Sequence, residues 1–304
     1  MRVNSLRGRS ILSVDDLSIH ELQDLIDFSE RIGKSMTAGL LSLEKENSVL
    51  AAICPAEARA RFYAEVAARR LRASTVRFGW EEAKGSLGVN VFDFARSIGR
   101  IVDCAVVEGS DHSFMEGIAK TSNIPVLNAL SEKEAPALAL ADFATLKSKL
   151  GKLSGLNLAY IGAGDAISNS VILAAAKCGV KLKVATSDRA RPSIQGIARA
   201  KVEAEKTGGS VELVSTPRHA LEDAGAVYWN FPQSQGGDTP VEFPSISLEA
   251  LLDSGAKKGV LVLRGFPMGG NVIRHDSPMG LNEIFWEQSE NRIYSFMALL
   301  SSVI

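Results

Sequence analysis

The sequence predicts an α/β protein of two domains, each built on a largely parallel sheet. Three observations lead there. Strand-like and helix-like segments alternate along the whole chain, as in parallel-sheet architectures. At 304 residues the chain is long enough for two domains of ordinary size. A basic, glycine-bearing joint, GKLSG at 151–155, is followed by a fresh strand–helix–strand unit.

The elements follow in order. Asp15, Asp16 and Ser18 precede HELQDLIDFSERIG, in which Leu22, Leu25, Ile26 and Ile32 keep one helical face, so a capped amphipathic helix is expected there. Ser48 to Cys54 reads as an apolar strand, Ala56 to Arg72 as a helix and Thr75 to Phe78 as a strand, followed by a polar loop, GWEEAKGSLG. Val91 to Ile98 is helical, Cys104 to Val107 a strand, His112 to Thr121 a helix, Pro125 to Asn128 a strand, and Ala135 to Leu150 a long helix. Beyond the joint come LNLAYIG, the helical AGDAISNSVILAAAKCG and the strand VKLKVAT. Strand segments then recur at Val211 to Val214, Ala226 to Trp229 and Gly259 to Leu263. A final helix, Glu283 to Leu300, is long enough to return to the first domain. No internal repeat or low-complexity tract is visible.

Composition narrows the class. Hydrophobic content of 46% and charged content of 23% are those of a soluble globular protein. A formal net charge of −1 supplies no field to recruit nucleic acid or an anionic membrane. Cys54, Cys104 and Cys178 sit in apolar runs without metal or redox spacing, so buried reduced thiols are expected, and no metal or cofactor. The N-terminal residues hold no apolar core of signal-peptide length, and no 18-residue apolar run occurs anywhere. A cytoplasmic protein is the expectation.

The stretch PAEARARFYAEVA, Pro55 to Ala67, resembles the phosphate-binding signature of the aspartate/ornithine carbamoyltransferase family, S-T-R-T-R followed by an aromatic-rich helix ending in E-x-A. Other landmarks agree in order: LRGRSILSVDDLS, ALADFATLKSKLGKLSGLNLAYIG and the closing SENRIYSFMALL are similar to the family's start, crossover helix and terminal E-N-R-x-x-x-Q-x-A-L-L helix. The resemblance implies two Rossmann-like domains. Residues 1–134, joined by the helix 283–304, would form a carbamoyl-phosphate-type domain; 135–150 an interdomain helix; and 151–282 an amino-acid-binding-type domain.

At the functional positions the match fails. Set against Glu65 and Ala67, the family's Ser falls on Glu57, its two Thr on Ala58 and Ala60, and its two Arg on Arg59 and Arg61. The H-P-x-Q motif, whose His and Gln contact the carbamoyl group, falls on Ala135, Pro136, Ala137 and Leu138. The arginine that polarises the carbonyl falls on Glu108, reversing its charge. The S-L-G-K-K loop contributed by a neighbouring subunit appears as Ser86, Leu87, Gly88, Val89 and Asn90; Lys84 reads as a solvated lysine near it. In the second domain the aspartate-binding arginine, or the second residue of the ornithine enzymes' Asn-Asn, falls on Ala166, after Asp165. R-x-Q falls on Phe231 and Gln233, and H-P-L-P-R on Arg264, Gly265, Phe266, Pro267 and Met268. Acyl transfer from carbamoyl phosphate needs donors aimed at the developing oxyanion and cations on the leaving phosphate, and this chain lacks several such donors at once.

The expectation is therefore a family member that has lost carbamoyl-phosphate-dependent transfer and serves as a binding or partner subunit, with a small-molecule ligand. The resemblance implies a homotrimer, or association with a family homologue. Cleft candidates are Glu57, Arg59, Ser86, Glu108, Gln233 and Arg264. One alternative is a divergent transferase acting on an amino acid or amine with an altered donor. Another, suggested by Gly162-Ala163-Gly164 between strand and helix with Asp188 ending the next strand, is a nicotinamide-dependent dehydrogenase, though Ile167 stands where a third glycine belongs. No nucleophile triad is readable. His20 and His112 read as lying on polar helical faces, His219 as starting a helix, and His275 as a loop residue near the family cleft. Trp80, Trp229 and Phe231 either line a pocket or pack.

Overall fold

Alternation of strand and helix is realised as two sheets whose strand pairings are all parallel among the described residues. The structure is a computed structural model and describes residues 3–37, 43–56, 58, 60–84, 90–109, 111–187, 190–230, 255–265 and 282–304. The chain divides into two units, one of Met1–Ser148 with Ser289–Ile304, the other of Lys149–Gln288.

The first unit opens with helix α1 (Ile19–Thr37), whose Leu22, Leu25, Ile26, Phe28 and Ile32 are buried. Its start is fixed by a reciprocal cap: the Ser18 hydroxyl accepts from the Glu21 amide at 3.2 Å, and a Glu21 carboxylate oxygen accepts from the Ser18 amide at 2.9 Å. The other Glu21 oxygen accepts from Ser5 Oγ at 2.8 Å and Arg9 Nη1 at 2.6 Å. Partial burial pushes this carboxyl up, but the Ser18 amide, the Ser5 and Ser18 hydroxyls and Arg9 outweigh it and bring it down to about 2. A carboxyl held below its unfolded value, about 4.3, stabilises the fold above that pH and ceases to do so as pH falls towards 2. The urea midpoint of the wild-type protein should therefore exceed that of Glu21→Gln at pH 7. The gap should close between about pH 5 and pH 2. A gap that persists unchanged at pH 2 would contradict this origin.

Four strands follow in this unit: β1 (Val49–Cys54), β2 (Ser74–Gly79), β3 (Cys104–Glu108) and β4 (Val126–Leu130), in the order β2-β1-β3-β4. The near-continuous apolar runs VLAAIC and CAVVE suit a parallel sheet covered on both faces. Between them lie α2 (Ala60–Arg70), α3 (Trp80–Ala83), α4 (Val91–Ile98), α5 (His112–Thr121) and, after β4, α6 (Pro136–Leu150). Ala51, Ile53, Ala95, Ile98, Val107, Met115, Ile118 and Val126 share one core.

The second unit carries β5 (Asn157–Gly162), α7 (Ala166–Lys177), β6 (Lys181–Thr186), α8 (Ile194–Thr207), β7 (Ser210–Val214), α9 (Pro217–Leu221), β8 (Ala226–Asn230), β9 (Leu261–Arg264) and β10 (Asn282–Glu283). Its sheet order is β10-β9-β8-β5-β6-β7. The chain thus builds outward from β5 through β6 to β7, then returns to the opposite side of β5 with β8.

A last helix, α10 (Phe285–Val303), enters the first unit from Ser289 onward. Ser295 Oγ lies 2.8 Å from Ser29 Oγ of α1, and Asn291 donates to Thr145 of α6 at 3.0 Å. Gly8 N–H donates to the Val303 carbonyl at 2.8 Å, and Lys45 Nζ to that of Ile304 at 2.9 Å. Arg292 and Asp142, both shielded from solvent, face each other at 3.9 Å, with the guanidinium 5.5 Å from the Tyr63 ring centre.

Several local expectations are corrected. The helix expected from Ala56 begins at Ala60, because the Ala58 amide turns back onto the Pro55 carbonyl at 3.1 Å. It ends at Arg70, and Arg72 has positive φ. The polar loop contains a helical turn, α3, with Trp80 buried at its start. The last helix starts at Phe285 and runs to Val303, Asn282 and Glu283 pairing with β9 instead. His112 is buried rather than on a polar face; its Nδ1 lies 2.9 Å from Ser131 Oγ. The three cysteines are free and buried, as composition suggested.

Candidate functional site

In the first unit, β1 ends at Cys54 and α2 begins at Ala60, while the neighbouring β3 ends at Glu108. The register between β3 and β4 shifts between Val107 and Glu108, where β4 carries one extra residue, Ala129. A half-buried Glu108 sends its Oε2 to the Ala60 amide, 2.9 Å away. That amide opens α2 and has no intrahelical acceptor, and a negative charge there is favoured by the helix dipole.

One residue on, Arg61 lies 3.7 Å from Glu65 Oε1 and 5.1 Å over the Phe62 ring. Glu65 is held by Arg77 of β2, whose Nε donates at 2.6 Å and whose second guanidinium nitrogen pairs with the other oxygen. Burial pushes the Cys54 thiol up, Arg61 draws it down, and Glu108 raises it again. Ala58, Ala60, Ala135 and Leu138 are all buried, and none has a side-chain donor.

Near α3, α4 and α5 several polar side chains pair with one another. Lys84 is exposed, and its Nζ pairs with Asp111 at 2.9 Å and lies 5.5 Å from the Trp80 ring centre. Ser113, Lys84 and the Phe114 amide hold the Asp111 carboxyl well below the usual carboxylate range. Asn90 caps α4 by accepting from the Asp93 amide at 2.9 Å. Trp80 packs edge-on against Phe114 at 5.1 Å, and a Cβ on Gly109 would lie 2.4 Å from its indole, so packing accounts for it.

In the second unit, β5 and β8 are adjacent strands whose onward connections diverge, the switch point at which open parallel sheets hold ligands. Their carboxyl ends carry a polar cluster. Asp165 caps α7 by accepting from the Ser168 amide at 3.0 Å. Asn230 Nδ2 lies 3.0 and 2.9 Å from the two Asp165 oxygens and 2.7 Å from Tyr160 Oη, and that phenol donates to the Ala163 carbonyl at 2.6 Å. Burial pushes the Asp165 carboxyl up against the pull of the Ser168 amide and Asn230, and pushes the Tyr160 phenol well up.

The glycines here serve close approach. Gly162 has φ +143°, and a Cβ on it would fall 1.8 Å from the Asn230 carbonyl oxygen; one on Gly265 would fall 1.9 Å from Asn230 Oδ1. A Cβ on Gly164 would meet the Arg191 carbonyl carbon at 2.3 Å. Crowding by the chain's own backbone explains the G-x-G turn without a pyrophosphate.

Of the sequence-derived candidates, Glu108 closes the start of α2, and Arg264 ends β9 in the other unit. The Arg264 amide donates to Gln288 Oε1 at 3.0 Å, and its carbonyl accepts from Gln288 Nε2 at 3.3 Å; its side chain is buried. Glu57, Arg59, Ser86 and Gln233 lie outside the described residues, as do Asp188, Phe231 and His275. His20 and His219 are exposed, and Trp229 is buried at the end of β8. Among the described residues no group of three or more His, Cys, Asp or Glu could hold a metal ion, and no helix is long and apolar enough to cross a membrane. Sequence reasoning missed the Tyr160–Asp165–Asn230 cluster. An Asp just before a helix signals a cap, but its partner lies 65 residues on.

Two family models match the chain. That of the aspartate/ornithine carbamoyltransferase carbamoyl-P binding domain matches residues 9–148, and that of the same family's Asp/Orn binding domain matches residues 154–303. An ornithine carbamoyltransferase of Methanocorpusculum labreanum is 31% identical over 299 residues, covering 96% of this chain and 97% of that one. The anabolic ornithine carbamoyltransferase of Pyrococcus furiosus is 28% identical over 309 aligned residues, covering 99% and 98%. The solved structure of ornithine carbamoyltransferase from Pyrococcus furiosus superposes with a TM-score of 0.91 at 28% identity, covering 98% of this chain and 97% of that one.

Proposed function

The chain belongs to the aspartate/ornithine carbamoyltransferase family, and we propose that within it this protein has lost carbamoyl-phosphate-dependent transfer and serves as a binding or partner subunit. The observation that carries the reading is chemical. Where the resemblance places donors to the phosphate and carbamoyl groups, Ala58, Ala60, Ala135 and Leu138 present buried alkyl side chains. A transfer that develops an oxyanion depends on such donors, and alkyl groups offer it nothing.

Calorimetric titration with carbamoyl phosphate, alone and with ornithine or aspartate, tests the reading. No heat from carbamoyl phosphate supports it. Saturable heat that depends on carbamoyl phosphate contradicts it, and saturable heat from an amino acid or amine alone favours a transferase with an altered donor.

The partner in this reading is a second copy of the chain in a homotrimer or a multiple of one, or else a family homologue. Support comes from apolar exposure around the open edge of the four-stranded sheet, whose edge strand is β2. Phe62 and Val66 of α2 are 56% and 40% exposed, Val76 of β2 42% and Phe92 of α4 55%. Light scattering at micromolar concentration and moderate salt should give three times the chain mass or a multiple of it. A monomer there would sink the assembly. Buried free thiols accord with a reducing, cytoplasmic setting.

A further inference from the structure

We propose that Glu108 is a built-in anion: its carboxylate caps α2 from the end of β3 and closes that helix to free oxyanions. The inference deepens the reading above, on which it rests only in taking this corner to be empty of phosphate chemistry. That reading concerns what is missing for transfer, whereas this one concerns what has taken the space.

Three observations converge. Glu108 Oε2 sits 2.9 Å from the Ala60 amide, the first of an 11-residue helix, so a negative oxygen already occupies the favourable position. Glu108 is the last residue of β3 and pairs with Leu130 across a register shift in which β4 carries the extra residue, Ala129. Beside it, Arg61 Nε is shielded from solvent and makes no hydrogen bond, and its ion pair with Glu65 is long at 3.7 Å. The Arg61 cation and the tethered Glu108 carboxylate both act on the Cys54 thiol at the end of β1, in opposite senses, so the two charges share this corner. Tethering matters because an intramolecular group competes at high effective concentration with any dissolved anion.

The contact also makes a testable bargain between stability and binding. Removing the carboxylate removes a cap, but leaves the α2 amide and Arg61 available to an external oxyanion. Thermal unfolding should be followed for wild type, Glu108→Ala and Glu108→Gln in inorganic phosphate and in chloride of equal ionic strength. Wild type should show only the shallow, non-saturating rise in Tm that a kosmotropic salt gives any protein, with no saturable gain from phosphate. Glu108→Ala should unfold about 2–4 °C lower in chloride, the size of one lost cap in a protein of this length. It should then regain stability saturably with phosphate.

Should the alanine variant not fold, Glu108→Gln carries the test. The isosteric amide keeps an acceptor but no charge, so a smaller loss in chloride and a weaker phosphate response are expected. Saturable stabilisation of wild type by phosphate, or indifference of both variants to it, overturns the proposal. The readouts are separable: citrulline or carbamoyl-aspartate formed by wild type would refute the loss of transfer, whereas the salt comparison alone decides the role of Glu108.

Discussion

Purified free of host enzyme, the protein should form no citrulline from carbamoyl phosphate and ornithine, and no carbamoyl-aspartate from carbamoyl phosphate and aspartate. Each missing oxyanion donor lowers the rate of an acyl transfer by about 10²–10³. Ala135 and Leu138 remove two groups that the resemblance assigns to the carbamoyl group, and both positions are buried as alkyl side chains. Such losses are not strictly additive, but even one of them is a drop that a sensitive assay resolves. Binding suffers separately. A carboxylate and a phosphate oxygen about 4 Å apart repel by about 4 kcal/mol at an effective dielectric of 20, close to a thousandfold in affinity. Replacing Glu108 with Arg relieves that repulsion, yet turnover should stay absent because the alkyl positions remain. Radiometric assay with labelled carbamoyl phosphate provides the check. Steady product formation, scaling with protein concentration and surviving a second chromatographic step, would show the reading to be wrong.

Replacing Arg292 with Ala should destabilise the protein by about 3–5 kcal/mol, since it leaves a buried charge without its counter-ion. Arg292 and Asp142 are among the most deeply shielded charged groups of the described residues and face each other at 3.9 Å. The guanidinium also covers Tyr63, so truncation removes packing as well as charge. The paired replacement Arg292→Met with Asp142→Leu, which removes both charges and keeps volume, should recover most of the loss. Urea unfolding at pH 7 measures both. A single substitution that costs less than about 1 kcal/mol would mean that this pair is not a buried ion pair in solution.

The α/β class, the two parallel sheets and the family were legible because they rest on signals spread along the chain. VLAAIC and LNLAYIG read as strands because strands covered on both faces need no polar alternation. The four residues of α3 were not legible, since Glu81 and Glu82 carry no apolar periodicity and the turn is held by Trp80 packing on Phe114, from a later element. His112 misled for a similar reason. Its neighbours Ser113 and Glu116 are polar, but Ser131, 19 residues on, meets its ring. The site was half legible. Residue comparison marked Glu108 as a reversal of charge, but nothing local in the sequence says that it reaches back 48 residues to the Ala60 amide. The Asn230 cluster depends on β5 and β8 being neighbours, a fact of topology and not of composition.

The division of the chain between its two units has a consequence for the order in which they can be finished during synthesis. The second unit is a single run, Lys149–Gln288, whereas the first takes its opening residues and then waits for Ser289–Ile304. Until that segment is made, the Gly8 amide lacks the Val303 carbonyl, Val3 lacks the Ser302 hydroxyl and Asp142 lacks Arg292. At about 5–20 residues per second, the intervening run occupies the ribosome for about 7 to 28 seconds. Throughout that interval the half of the molecule made first lacks the contacts that α10 supplies, and the half begun later can close before it. A nascent chain stalled within this run is therefore a target for chaperones and proteases at its older end.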